Sequence, residues 1–225
     1  MLNLPSQLAT LKQSIDNEIK KHAINHAVLL LPASKTQPIE KLSKLHELGV
    51  QHFAENYVTE ALAKIEHLPE HIQWHLIGPI QSNKTKLIAT HFDWVHSIDR
   101  VKIIQRLDRQ RPADKKPLNC LIQVNISNDP NKAGATLAEI TQLATEINKA
   151  DKLTLKGLMA ITKQYEDETS VKADFYKMQQ ASLALHAKYP QANQLSMGMS
   201  ADFLLAIEYG ATMVRLGSIL FGKRI

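Results

Sequence analysis

Residues 26–33 read HAVLLLPA, Ser34-Lys35-Thr36 follows, and residues 37–49 read QPIEKLSKLHELG. The first run is apolar without alternation, which predicts a strand buried on both faces. Behind it Ile39, Leu42 and Leu45 recur at helical spacing. Thr36 is placed to cap that helix, Pro38 suits its first turn and Gly49 its stop. Strand and helix thus alternate within one short unit, and the unit recurs along the chain. Further strands are predicted over 50–54, 72–77, 92–97, 118–125, 153–159, 194–197 and 212–216. Helical stripes stand before and between them. Leu8, Leu11, Ile15 and Ile19 precede the first strand, and Val58, Leu62 and Ile65 follow the second. Residues 82–90 follow the third. Val101, Ile104 and Leu107, behind a cap at Asp99, follow the fourth. Residues 136–150 follow the fifth. The longest stripe, Val171, Phe175, Met178, Ser182 and Leu185, follows the sixth. A short helix capped by Ser200 and stopped by Gly210 follows the seventh, and a last helical turn follows the eighth. Eight such units predict parallel strands and right-handed crossovers, an α/β chain that fits a single (β/α)8 TIM barrel over 1–225. A doubly wound open sheet competes, because strand order is invisible in sequence.

Composition narrows the class. The chain has 225 residues, 44% of them hydrophobic, enough for one large domain core. Its net charge is +5, but no run of five or more basic residues occurs, so a nucleic-acid partner is not expected. A single cysteine, Cys120, excludes an internal disulfide and an all-cysteine zinc site, and makes a cytoplasmic location the expectation. Cys120 lies in an apolar run and reads as core. No stretch approaches the about 20 apolar residues of a membrane span, and residues 1–20 carry no signal-peptide core. No long exposed apolar stripe demands a dimer, so a monomer is expected.

In a barrel, chemistry gathers at the C-terminal ends of the strands. Lys35 falls there after the first strand, where desolvation can free its amine to attack a carbonyl. By position alone it also reads as an ordinary surface lysine. Asn56 follows the second strand. His75 ends the third and reads first as a satisfied histidine of the barrel. After the seventh strand comes Ser196-Met197-Gly198-Met199-Ser200, with two hydroxyls, a glycine and a helix start. After the eighth comes Arg215-Leu216-Gly217-Ser218. Free amides, hydroxyls and a helix dipole in two adjacent loops suit a phosphate, although ordinary capping and turning would use the same residues. There is no G-x-x-x-x-G-K-[ST], no G-x-G-x-x-G and no H-E-x-x-H spacing.

Together these pieces resemble the pyridoxal phosphate homeostasis protein family. The matching stretches are Ala33-Ser34-Lys35-Thr36, Phe53-Ala54-Glu55-Asn56-Tyr57, Trp74 to Lys84 (WHLIGPIQSNK), Gly157-Leu158-Met159-Ala160-Ile161, Leu195 to Ser200 and Met213 to Ser218. They span nearly the whole chain in family order. Ala54 stands where the family usually has glycine, and Thr162 where proline often follows Met-Ala-Ile. The resemblance implies a barrel like the N-terminal domain of alanine racemase, holding pyridoxal 5′-phosphate (PLP) as an aldimine on Lys35. It implies that Ser200, Gly217 and Ser218 hold the phosphate with Ser196 nearby, and that Asn56 and His75 line the pocket. It places Arg215 beside the ring nitrogen, with a phosphate contact as the alternative.

The implied role is to bind and buffer PLP without robust catalysis, with PLP-dependent apo-enzymes as candidate recipients. A permanent cation at the ring nitrogen cannot take its proton and weakens the electron sink. The sequence ends at Ile225, just after the eighth unit, so the extra β-domain of the racemases is not expected. A small PLP-dependent racemase or lyase is the alternative that the same lysine would serve.

Overall fold

The computed structural model describes residues 3–163 and 167–222. The 1–225 span expected for the domain also takes in residues 1–2, 164–166 and 223–225, which lie outside the described residues. Eight parallel strands are present: β1 Leu29–Pro32, β2 His52–Glu55, β3 Gln73–Leu76, β4 Trp94–Ile98, β5 Leu118–Val124, β6 Leu153–Ala160, β7 Gln194–Ser196 and β8 Met213–Leu216. They pair in the order β1-β8-β7-β6-β5-β4-β3-β2. Pairing of the first strand with the last removes the doubly wound sheet. The remaining gap, between β1 and β2, is closed just past the strand ends. There Ala33 bridges Ala54, and the Ser34 amide donates to the Ala54 carbonyl at 2.9 Å. Ala54, one of the two departures from the family pattern, therefore serves through its backbone, with its methyl buried.

The helices are α1 Leu4–Lys21, α2 Ile39–Glu47, α3 Val58–Ile65, α4 Thr85–His91, α5 Val101–Gln110, α6 Ile140–Lys149, α7 Glu168–Lys188, α8 Phe203–Glu208 and α9 Ser218–Phe221. Gly49, at φ 86°, follows the end of α2 as expected. Three caps differ from the sequence reading. Pro38, extended at φ −69° and ψ 154°, is the N-cap of α2, because Thr36 sits in the left-handed region at φ 63°. Arg100 replaces Asp99 ahead of α5, and Asp202 replaces Ser200 ahead of α8. In α3 the fully buried positions are Ala61 and Lys64, while Val58 and Ile65 of the expected stripe pack half-buried against the core.

Strand alternation sends one set of side chains outward to the helices and the other into the lumen. Trp74 and Leu76 of β3, and Val214 and Leu216 of β8, join the outer hydrophobic core. His75 and Arg215, between them, face the lumen. The helix after β8 is only four residues long and cannot cover the β8–β1 seam alone. α1 takes that place, packing on α8, α9 and α2 and burying Leu8, Leu11 and Ile15. Leu11→Ala should accordingly lower the unfolding free energy by about 2–4 kcal/mol, as loss of a fully packed leucine does. Urea unfolding with an unchanged m-value measures it, and a cost under about 0.5 kcal/mol would show that α1 is only a surface appendage.

Candidate functional site

A cavity of about 560 Å³ opens at the C-terminal mouth of the barrel. Six of the eight residues singled out in the sequence line it: Lys35, Asn56, Ser200, Arg215, Gly217 and Ser218. His75 and Ser196 do not. Both are wholly buried beneath it, in the lumen.

The loop carrying Lys35 is pinned from behind by a buried ion pair. Lys64 of α3 lies 2.7 Å from Glu55 at the end of β2 and 2.7 Å from Glu60, and donates to the Ser34 carbonyl at 2.8 Å. The Ser34 hydroxyl donates to the same Glu55 oxygen at 2.6 Å. On the other side of Lys35, the Thr36 amide donates to Glu60 at 2.5 Å. That bond helps hold Thr36 in a conformation that is costly for a β-branched residue. Burial raises the Glu55 carboxyl above its usual range, outweighing the pull of Lys64 and Ser34. Residues on both sides of Lys35 are thus fixed to β2 and α3. The sequence reading missed Lys64. Its signal was a lysine three residues after Ala61, on the inner stripe of α3.

A second network fills the lumen. Arg215 donates through one terminal nitrogen to the Ser196 hydroxyl at 2.8 Å and through the other to the Ala160 carbonyl at 2.8 Å. Ser196 lies 3.0 Å from His96 Nδ1, His96 Nε2 lies 2.9 Å from His75 Nδ1, and His75 Nε2 lies 2.9 Å from His52 Nδ1. The strand register explains the line. His52 is level with Gln73 and Ala54 with His75, while His75 is level with Trp94. Each histidine therefore stands two residues further along than its predecessor, the stagger of a tilted barrel. The column climbs from the base of β2 to the cavity floor. Burial, reinforced by His96 and His52, holds His75 well below the ordinary histidine value. Burial and Arg215 do the same to His96. Burial also brings Arg215 down to about 10, against the opposing charge of Asp202. His96 and His52 were not singled out in the sequence.

The loops after β7 and β8 are tied to one another and to the sheet. The Ile219 amide donates to the Ser200 hydroxyl at 3.3 Å, and the Arg215 amide to the Gly198 carbonyl at 3.0 Å. Gly198 has φ 90°, and an added Cβ would lie 2.6 Å from Ala206. Its small size lets α8 pack close, so it shapes the loop from outside. Cys120 is wholly buried, and burial pushes its thiol up to about 12, so it is core. Among the described residues no cluster of three or more His, Cys, Asp or Glu could hold a metal ion, and no helix is long and apolar enough to cross a membrane.

A barrel with a lysine after its first strand and hydroxyl-bearing glycine loops after its last two is a known class. The family model "Alanine racemase, N-terminal domain" matches residues 8–224. A pyridoxal phosphate homeostasis protein of Vibrio alginolyticus is 49% identical over 203 residues, covering 88% of this chain and 87% of that protein. Its namesake from Escherichia coli K12 is 44% identical over 201 residues, covering 88% and 86%. The chain belongs to the alanine racemase N-terminal domain family and, within it, to the pyridoxal phosphate homeostasis proteins. PipY of Synechococcus elongatus, solved with PLP bound, shares the fold with a TM-score of 0.82 at 32% identity, covering 98% of this chain and 100% of that one. Alanine racemase from E. faecalis shares the fold alone, with a TM-score of 0.70 at 15% identity over 94% of this chain and 58% of its own length.

The buried histidines set an acid limit. Their folded values lie below the unfolded value of about 6.5, so between the two the unfolded chain binds more protons. The stability they contribute is complete above that value and is lost as pH falls through it. His75 and His96 should each steepen the loss by up to about 1.4 kcal/mol per pH unit. Urea unfolding between pH 7.5 and pH 5, values chosen to bracket the ordinary histidine range of about 6.5, measures the slope. His96→Gln should reduce it by about one proton's worth, and an unchanged slope would contradict the burial of a neutral His96.

Proposed function

We infer that this chain binds PLP at the mouth of the barrel and serves in PLP homeostasis, holding the cofactor rather than turning substrates over. The observation that carries this is the gathering of Lys35, Ser200, Ser218 and Arg215 around one cavity. An amine, two hydroxyls and a buried guanidinium are the donor set that an aldehyde bearing a phosphate and a pyridine ring requires. The cavity's about 560 Å³ is within the usual range for small-molecule sites. When bound, PLP supplies an aldehyde for a lysine amine and a ring able to draw electrons. In this reading Lys35 makes the covalent link, on a loop held by Glu55, Lys64 and Glu60. Ser200, Gly217 and Ser218 hold the phosphate. Asn56 Oδ1 is buried without a protein partner and offers an acceptor on the cavity wall. Arg215 faces the ring nitrogen, with Ser196 and His75 behind it. Since a guanidinium only donates, it keeps the ring nitrogen unprotonated and the electron sink weak. The names of the homeostasis relatives support a non-enzymatic role. The role includes PLP-dependent apo-enzymes as recipients, in the cytoplasm, with the chain acting as a monomer.

Borohydride reduction of the PLP-loaded protein should fix the cofactor to the peptide containing Lys35. Lys35→Ala should abolish both the near-visible absorbance and the labelling without unfolding the chain. Label on Lys84 or Lys163 instead would end the reading.

Pyridoxal lacking the phosphate should bind at least about a hundredfold more weakly than PLP, since two or more charge-assisted hydrogen bonds are lost. Comparable dissociation constants in a direct titration would refute the phosphate site.

A further inference from the structure

We propose that Ser196, His96, His75 and His52 are positioning residues for Arg215, forming a one-directional hydrogen-bond column that orients the guanidinium from below the cavity floor. The inference rests on the reading that Arg215 faces the ring nitrogen, and it adds the groups that fix Arg215 there.

The direction follows from donor chemistry. A guanidinium has no acceptor, so at 2.8 Å Arg215 must donate to the Ser196 oxygen. The hydroxyl proton is then directed to the other partner, His96 Nδ1, 3.0 Å away. That nitrogen is unprotonated, so neutral His96 carries its hydrogen on Nε2 and donates to His75 Nδ1. His75 in turn donates from Nε2 to His52 Nδ1. All three imidazoles are thereby assigned the Nε2–H tautomer, each set by the residue above it. The reverse order would leave the Ser196 proton without either of these partners.

The column matters because two acceptors, Ser196 and the Ala160 carbonyl, define the plane of the guanidinium. With the Ser196 leg cut, the group can turn about the remaining bond. A second proton on His52 or His75 would set two N–H groups face to face, and one on His96 would oppose the Ser196 O–H; either breaks the column. His52 is where a proton would enter. It lines a separate cavity of about 340 Å³ at the barrel base, with Lys12 and Asp16 of α1. Burial disfavours the charged form of His52, and Asp93, just before β4, is the acidic charge opposing that. The His75 ring stacks on Trp94 between its two histidines, and Arg215 is the charge acting on His96. Acid should therefore loosen Arg215 from the far end of the barrel, without a titrating group touching the cofactor.

The test uses the PLP-loaded protein with ¹⁵N in the cofactor ring and in the histidines. His96→Leu cuts the column. His96→Gln keeps it, since an amide can accept from Ser196 and donate to His75. The cut should move the ring-nitrogen resonance and its pH profile and speed PLP loss about tenfold, the scale of one charge-assisted hydrogen bond. The glutamine should restore both. In the unmutated protein, with or without PLP, His96 and His75 should show protonated Nε2 and unprotonated Nδ1. Native ring signals in a folded His96→Leu protein, or the opposite tautomers, would overturn the column. If His96→Leu does not fold, Ser196→Ala, which removes one oxygen, carries the same two outcomes. Arg215→Ala separates the two layers of the argument. An unmoved ring resonance there would sink the placement of Arg215 itself. A moved one, with Ser196→Ala native, would sink only the column.

Discussion

A guanidinium shut inside a barrel must find acceptors for the donors that water no longer serves. The upper lumen of this protein is organised around that demand. Arg215 is almost fully buried, and its two terminal nitrogens end on Ser196 and on the Ala160 carbonyl. Ser196 needs a partner of its own, which is His96, and each imidazole has two nitrogens and so passes the requirement on. The chain of obligations ends only at His52, which reaches the base. Barrels of this kind are ordinarily filled by layers of branched aliphatic side chains. Here one side of the lumen is polar, and the register that steps two residues per strand aligns its members.

The outer face of the sheet solves a different problem. Glu55 and Lys64 are buried between β2 and α3, where apolar residues of similar size would pack without desolvation cost. Glu55 also accepts from the Ser34 hydroxyl, and Lys64 also donates to the Ser34 carbonyl and shares Glu60 with the Thr36 amide. An apolar pair would fill the space and release the loop. The ion pair is better understood as a fixture for the residues on either side of Lys35 than as a source of stability.

Periodicity alone was enough to read the alternation of strands and helices, because apolar runs and 3.6-residue stripes are local signals. The competing open sheet could not be dismissed, because pairing of β1 with β8 is a contact between distant parts of the chain. Six of the eight chosen residues share the cavity, since the ends of successive strands in a barrel converge on one mouth. His75 and Ser196 were drawn into the same group by their place near those ends. Whether a side chain stands at the mouth or one layer below depends on stagger, which sequence spacing does not reveal. His52 and His96 escaped for the same reason, being 23 and 21 residues from His75 and aligned only by register. The caps failed on smaller grounds: Thr36, Asp99 and Ser200 have capping chemistry, but their backbones or side chains are committed elsewhere.

The use of α1 as the wall over the β8–β1 seam ties the two ends of the chain's history together. During synthesis at about 5–20 residues per second, Arg215 leaves the ribosome roughly 9–36 seconds after Lys35. Until then α1 and β1 lack β8 and α9, the elements that complete the seam, and the cavity has no far wall. The lysine is made early and its surroundings late. A growing polypeptide therefore presents the Lys35 amine to solvent before Ser200, Arg215 and Ser218 exist to wall a cavity around it.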